Sequence, residues 1–179
     1  MFVFPVVILN VLKKGGFKVD RNSKTIYIGV GGRGNDLLNQ LIAADEVKRN
    51  LFAVDTDAQT LMKSMSPKRI QIGEKETRGL GTNGNAEMGR RAAEDAREKL
   101  LSLFEKGENV YILTGLQGGT SLGLVPVLCE CAKAADAQTV LYAVIGGETP
   151  TEKEKSVLAT WRTLAHEIHP WKTVFSKIT

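Results

Sequence analysis

Three glycine-rich turns carry the residues best suited to chemistry: Gly29-Val30-Gly31-Gly32-Arg33-Gly34-Asn35, Thr77-Arg78-Gly79-Leu80-Gly81-Thr82-Asn83-Gly84-Asn85, and Gly115-Leu116-Gln117-Gly118-Gly119-Thr120-Ser121. Glycine allows positive φ and close backbone approach, so turns of this kind can aim several N–H groups at one anion. In the third turn Gly118, Gly119, Thr120 and Ser121 precede a helical pattern, which directs successive N–H groups at a ligand and adds hydroxyl donors. A plain helix cap needs only the Thr or Ser and leaves the two glycines before them without a purpose. One such turn is weak evidence. Three in one small domain point to a wrapped polyphosphate, which means a nucleotide.

The spacing Gly29-x-Gly31-x-x-Gly34 also satisfies the dinucleotide fingerprint in form, and Asp55 stands where a ribose-binding acid belongs. An NAD(P)-dependent enzyme is therefore an alternative. Against it, a dinucleotide site needs one glycine turn, and the chain offers no evident hydride-transfer machinery. Its two histidines, His166 and His169, lie beside a late proline, Pro170, and read as surface or packing residues. No Gly-Lys-Ser/Thr sequence follows any of the glycine turns, which excludes ordinary P-loop ATPases and small GTPases.

The elements that must position these turns alternate. Thr25 to Val30 reads as a buried strand, Leu37 to Val47 as a helix, Leu51 to Val54 as a short strand ending at Asp55-Thr56-Asp57, and Ala58 to Met65 as a short helix. Arg69 to Ile72 is a brief strand, and Ala86 to Phe104 is expected to be the longest helix. Asn109 to Leu113 is a strand, followed by a helix through Val125 to Ala135 and a strand over Thr139 to Ile145. Thr151 to Glu154 has capping-box spacing and opens a helix expected to run to Ile168, ended by Pro170. Lys172 to Ile178 then opens one more strand. Such alternation predicts an α/β fold, a Rossmann-like parallel sheet with helices on both faces. Ligands of such folds sit at the carboxyl ends of the strands, where the glycine turns lie.

Composition sets the outer bounds. With 179 residues and 42% hydrophobic content, the chain suits one domain with a real core. The net charge of +4 comes from scattered basic residues, a solvated surface rather than a nucleic-acid groove. Cys129 and Cys131 are the only cysteines; two apart on a helix they point away from each other and read as plain thiols of a reducing compartment. The apolar stretch Met1 to Leu12 is too short to span a bilayer and lacks the features of a secretion signal, so the expected location is cytoplasmic, with no transmembrane segment. Residues 1–24 are expected to form an N-terminal extension, and 25–179 the nucleotide-binding domain.

From about Thr25 to Ile145 the motifs resemble the tubulin/FtsZ superfamily, and FtsZ in particular, in the family's order. Gly29 to Asn35 resembles the first nucleotide loop, Asp55-Thr56-Asp57-Ala58-Gln59 the family's Asn-Thr-Asp-Ala-Gln, and Gln71 through Arg90 the third loop and its helix. Gly115 to Gly123 occupies the place of the tubulin signature Gly-Gly-Gly-Thr-Gly-Thr/Ser-Gly. The resemblance implies a cell-division protein that binds GTP or GDP with Mg²⁺ and forms head-to-tail filaments for septation. Residue by residue it implies that Gly31, Gly32, Gly34, Asn35 and Asp36 line the nucleotide and that Asp57 lies near the ribose. Gly81, Asn83, Gly84 and Asn85 would approach the γ-phosphate, and Gly118, Gly119, Thr120 and Ser121 would hold the phosphate chain. Glu152 and Lys155 stand where the family has its ribose and phosphate contacts after the fifth strand.

Departures qualify these expectations. Gln117 and Ser121 replace signature glycines and Leu122 replaces a hydroxyl residue, which at positive φ would cost about 1 kcal/mol or more each. Asp55 is a carboxylate where the family has an amide, and Pro150-Thr151-Glu152 replaces the family's Phe-x-Phe-Glu-Gly turn. The sequence stops before the region of the family's central helix, which holds the base, and its Asn-x-Asp-x-x-Asp/Glu loop, which orients the attacking water. No catalytic residue is therefore assigned. Hydrolysis is expected only with an intact partner, itself or a full-length FtsZ in head-to-tail contact. A family relative that binds no nucleotide and acts as an assembly module is the further alternative.

Overall fold

A computed structural model of the chain describes residues 24–172. Nearly all of the expected N-terminal extension, and the expected final strand beyond Lys172, lie outside the described residues. The strands are β1 (Thr25–Val30), β2 (Leu51–Asp55), β3 (Lys68–Gln71), β4 (Asn109–Gly115), β5 (Gln138–Ile145) and β6 (Glu167–Lys172). The helices are α1 (Gly31–Ala43), α2 (Ala58–Met62), α3 (Glu74–Thr77), α4 (Ala86–Asp95), α5 (Arg97–Leu101), α6 (Gly119–Ala134) and α7 (Glu152–Trp161).

The strands form one six-stranded parallel sheet in the order β3-β2-β1-β4-β5-β6. Every residue of β1 and of β2 is buried. Helices on both faces deprive such inner strands of a solvent side, so their sequences read as continuous apolar runs. The two-residue side-chain period still sorts them. Ile26, Ile28 and Val30 join Val54, Ile112, Leu141 and Ile145 in a large core beneath α4, α5, α6 and α7. Tyr27, Leu113, Tyr142 and Val144 face the other way and pack on Leu37, Leu38 and Leu41 of α1. Together these apolar groups, at ~25 cal/mol per Å² removed from water, supply the main drive to fold.

Several element bounds differ from the sequence reading. The region over Ala86 to Phe104 is two helices, broken at Ala96, whose backbone (φ −93°, ψ 6°) leaves the helical region. Among the described residues the longest helix is instead α6, with 16 residues. The helix capped by Thr151 ends at Trp161, not Ile168. Pro170 then lies within β6, which pairs only with β5 at the edge of the described sheet. Proline is tolerated there because an edge strand has one side that needs no N–H donor. The capping box is present: Thr151 Oγ1 accepts from the Glu154 N–H, and the Glu154 carboxylate accepts from the Thr151 N–H.

Candidate functional site

A cavity of about 330 Å³ opens at the carboxyl edge of the sheet, lined by the turns after β1 and β4 and by the end of β5. The order β3-β2-β1-β4-β5-β6 reverses direction between β1 and β4. At such a switch point adjacent crossovers leave in opposite directions and open a crevice above the sheet, where α/β proteins bind ligands.

Two helices start at this crevice. In α1, Gly31 takes φ 66°, a conformation glycine adopts without strain, and the helix begins directly after β1. Gly34 faces the sheet, and a methyl group on it would collide with the Leu113 carbonyl oxygen, so glycine sets how closely α1 approaches β4. In α6, Gly118 is the N-cap and Gly119, Thr120 and Ser121 form the first turn. No side chain caps α6. The amide groups at the start of such a helix carry a partial positive charge and favour an anion.

Hydroxyls and carboxylates lock the turns together. Ser121 Oγ donates to the Val30 carbonyl at 3.2 Å, tying the third glycine turn to the first. Thr120 and Thr56 share a hydroxyl hydrogen bond of 2.7 Å, buried, which brings the turn after β2 to the same place. Gln117 Nε2 donates to the Glu154 carboxylate at 3.1 Å, and the Gly146 N–H donates to the same oxygen at 2.9 Å. Burial pushes the Glu154 pKa up, but the N–H groups of Thr151 and Gly146, the Thr151 hydroxyl and Gln117 outweigh it, so it lies below the ordinary value. Gln117, Ser121 and Leu122 all lack positive φ, so the expected backbone strain at these departures is absent. The positions hold ordinary helix and loop conformations that any residue adopts.

The expected site residues divide. Gly31, Gly32, Gly118, Thr120 and Ser121 line the cavity. Gly34 is buried against β4, and Asn35 lies beneath the turn, its Nδ2 donating to the Val54 carbonyl at 3.5 Å. Gly119 is buried where α6 meets the second glycine turn, close to Thr82 and Asn85, while Asp36 is exposed on α1. Asp57 caps α2, accepting from the Gln59 N–H at 2.8 Å, and pairs with Leu80 across an antiparallel bridge. That bridge sets Gly81 beside Asp57; Asn83 and Gly84 are exposed, with φ 47° and 79°, and Asn85 caps α4. Glu152 and Lys155 pair with each other at 2.6 Å on the exposed side of α7 and do not line the cavity. The α7 residue that reaches the cavity wall is Glu154, through its bonds to Gln117 and Gly146. The sequence reading did not single out Arg33, Gln117, Val144 or Gly146 as site residues, although they also line the cavity.

Asp55 and Asn35 form a polar pair under the first turn. Asp55 Oδ1 accepts from the N–H groups of Thr56 (2.7 Å) and Asp57 (3.1 Å). Its Oδ2 and the Asn35 Oδ1 are both buried without a hydrogen-bond partner. Burial pushes the Asp55 pKa up to about 6, against the lowering effect of those N–H groups.

Other reactive side chains lie elsewhere. His166 Nδ1 accepts from the Thr139 N–H at 3.0 Å and His169 stacks on Tyr142, both packing roles. Cys129 and Cys131 are buried in α6, and burial pushes the Cys129 thiol up to about 12, far from a reactive thiolate. Among the described residues no helix is long and apolar enough to cross a membrane.

Comparison with known proteins agrees with this geometry. The family model for the Tubulin/FtsZ family, GTPase domain, matches residues 24–167. An empty FtsZ dimer from M. jannaschii is 28% identical, with a TM-score of 0.73 over 95% of this chain and 50% of that one. A mutant FtsZ of M. jannaschii, also 28% identical, gives 0.71 over 91% of this chain and 48% of that one. The GDP-bound CetZ1 monomer from Haloferax volcanii, at 18% identity, shares the fold, with a TM-score of 0.70 over 86% of this chain and 54% of that one. The chain thus spans about half the length of the solved structures it matches. A six-stranded parallel sheet with glycine turns at its switch point and a family match over most of the chain lead to one assignment: this chain belongs to the Tubulin/FtsZ family and carries its GTPase domain.

Proposed function

We propose that the cavity between the β1–α1 and β4–α6 turns binds the phosphates of GTP or GDP. The carrying observation is that Gly31, Gly32, Gly118, Thr120 and Ser121 converge on one cavity at the start of two helices, a set of donors without a carboxylate. Asn35, Gly34 and Gly119 position this cradle from beneath, while Asp36, Asp57, Gly81, Asn83, Gly84 and Asn85 close around the nucleotide from the second turn and α1. Glu152 and Lys155 approach the ribose side. Among the described residues no cluster of three acidic, histidine or cysteine side chains is placed to hold a metal. Mg²⁺ would therefore be held mainly by the phosphates and water, as is usual for this ion. Bound there, it would neutralise charge on the phosphate chain.

The wider role follows the family. We assign the chain to a cytoplasmic FtsZ-like cell-division system, with residues 25–179 as the nucleotide-binding domain and head-to-tail contact with itself or a full-length FtsZ. Hydrolysis would depend on acidic groups supplied across that contact, since positioning and charge stabilisation dominate phosphoryl transfer. Against the relative that binds no nucleotide, Ser121 bonds the third turn to the end of β1 and Gln117 bonds it to α7, so these substitutions add hydrogen bonds instead of strain.

The test is the melting temperature with GTP, GDP, ATP and NAD, each with Mg²⁺. A ligand at 100 times its Kd stabilises by about 2.7 kcal/mol, which raises the melting temperature by roughly 5–10 °C in a chain of this size. Shifts with GTP and GDP support the reading. A shift with NAD alone, or none with any nucleotide, overturns it.

A further inference from the structure

Arg33 is the residue of the first glycine turn that neither the backbone cradle nor the packing explains. It is exposed, and among the described residues lining the cavity it alone is charged. It has no hydrogen-bond or ion-pair partner among the described residues. It also occupies the first turn of α1, where no acidic residue balances it. A cation at a helix N-terminus meets the positive end of the helix dipole, so this placement is unfavourable in the free chain. The stem is nonetheless held in place: a Cβ on Gly115 would lie 3.0, 3.2 and 3.8 Å from Arg33 Cβ, Cγ and Cδ. The aliphatic stem therefore packs on Gly115 within the lining of the cavity. An anion in the cavity would convert two unfavourable positive potentials, the helix start and the guanidinium, into one favourable site.

We propose that Arg33 is a phosphate-binding residue of this site, donating a charge-assisted hydrogen bond to the phosphate chain of the bound nucleotide. The inference rests on the nucleotide reading above and adds a side-chain cation to a cradle otherwise made of backbone amides. Arginine suits the task because its planar fork matches two phosphate oxygens at once and it is always charged.

The test is titration calorimetry of the full chain, Arg33→Gln and Arg33→Lys with GDP and, separately, with pyrophosphate. Arg33→Gln is expected to weaken both ligands by about tenfold or more, because a hydrogen bond to a charged group is lost. Arg33→Lys should recover part of the loss, keeping the charge without the fork. The melting temperature of free Arg33→Gln should match or slightly exceed that of the parent, which separates a binding role from a folding one. Equal GDP affinity in parent and Arg33→Gln overturns the role of Arg33 and leaves the nucleotide reading standing. A loss for GDP without the same loss for pyrophosphate also overturns it, placing the side chain on the base or ribose. A parent chain that binds neither ligand overturns the nucleotide reading and this inference with it.

Discussion

Replacing Asp55 by asparagine removes a carboxylate from a site where nothing neutralises it. The folded pKa is raised from 3.8 to about 6, chiefly by burial. At 1.36 kcal/mol per pH unit, that gap corresponds to about 3 kcal/mol. The sign follows from the proton: the folded state holds it more tightly than the unfolded state does. The penalty is therefore absent below about pH 4, grows as pH rises toward about 6, and is complete above about pH 7. In the Asp55→Asn variant the amide oxygen would still accept from the N–H groups of Thr56 and Asp57. The new amide nitrogen would replace the orphaned Oδ2 close to the side chain of Asn35, whose own Oδ1 is also without a partner. Urea unfolding of parent and Asp55→Asn from pH 4.5 to 8 reads the effect directly. The variant is expected to gain about 3 kcal/mol over the parent at pH 7.5, with the gain fading toward pH 4.5. A difference between the two proteins that does not change with pH, or a variant less stable at pH 7.5, would refute the account.

Three further substitutions test the framework of the site. Gly34→Ala sets a methyl group against the Leu113 carbonyl and should cost about 2–3 kcal/mol in urea unfolding, because α1 must lift from β4. Ser121→Ala removes the bond to the Val30 carbonyl and should lower stability by about 1 kcal/mol without changing the unfolding slope. Glu154→Gln weakens the contacts to Gly146, Thr151 and Gln117 and should cost about 1–2 kcal/mol at pH 7. Because the Glu154 pKa is lowered, its contribution is present above its unfolded value of 4.5 and is lost as pH falls through the lower folded value. The gap between parent and Glu154→Gln should therefore close in acid.

Much of the architecture was legible in the residues. Continuous apolar runs such as Thr25 to Val30 announce inner strands of a parallel sheet, and the glycine turns mark its ligand edge. The failures have physical causes. Ala96 carries a good helix-forming side chain, so its sequence gives no sign that α4 stops and α5 begins there. Pro170 reads as a helix stop because proline in a strand is tolerated only at an edge, and edges are decided by the whole sheet. In the site, the glycines were visible as a motif, but Gln117, Val144 and Gly146 meet only in three dimensions. Glu154 shows the same limit. Spacing identifies the cap, while the direction of the third residue's carboxylate depends on where β5 ends.

The two outer strands of the described sheet bear on how copies of the chain can meet. β3 is only four residues long and carries exposed Lys68 and Arg69, while β6 contains Pro170, which has no N–H to offer an incoming strand. Short, basic or proline-bearing margins resist the addition of another chain by backbone pairing. Lateral growth of the sheet into a ribbon is thereby disfavoured on both sides. Any contact between copies is therefore turned away from backbone pairing at these margins and toward side-chain surfaces, the helix faces and the strand ends where the cavity opens.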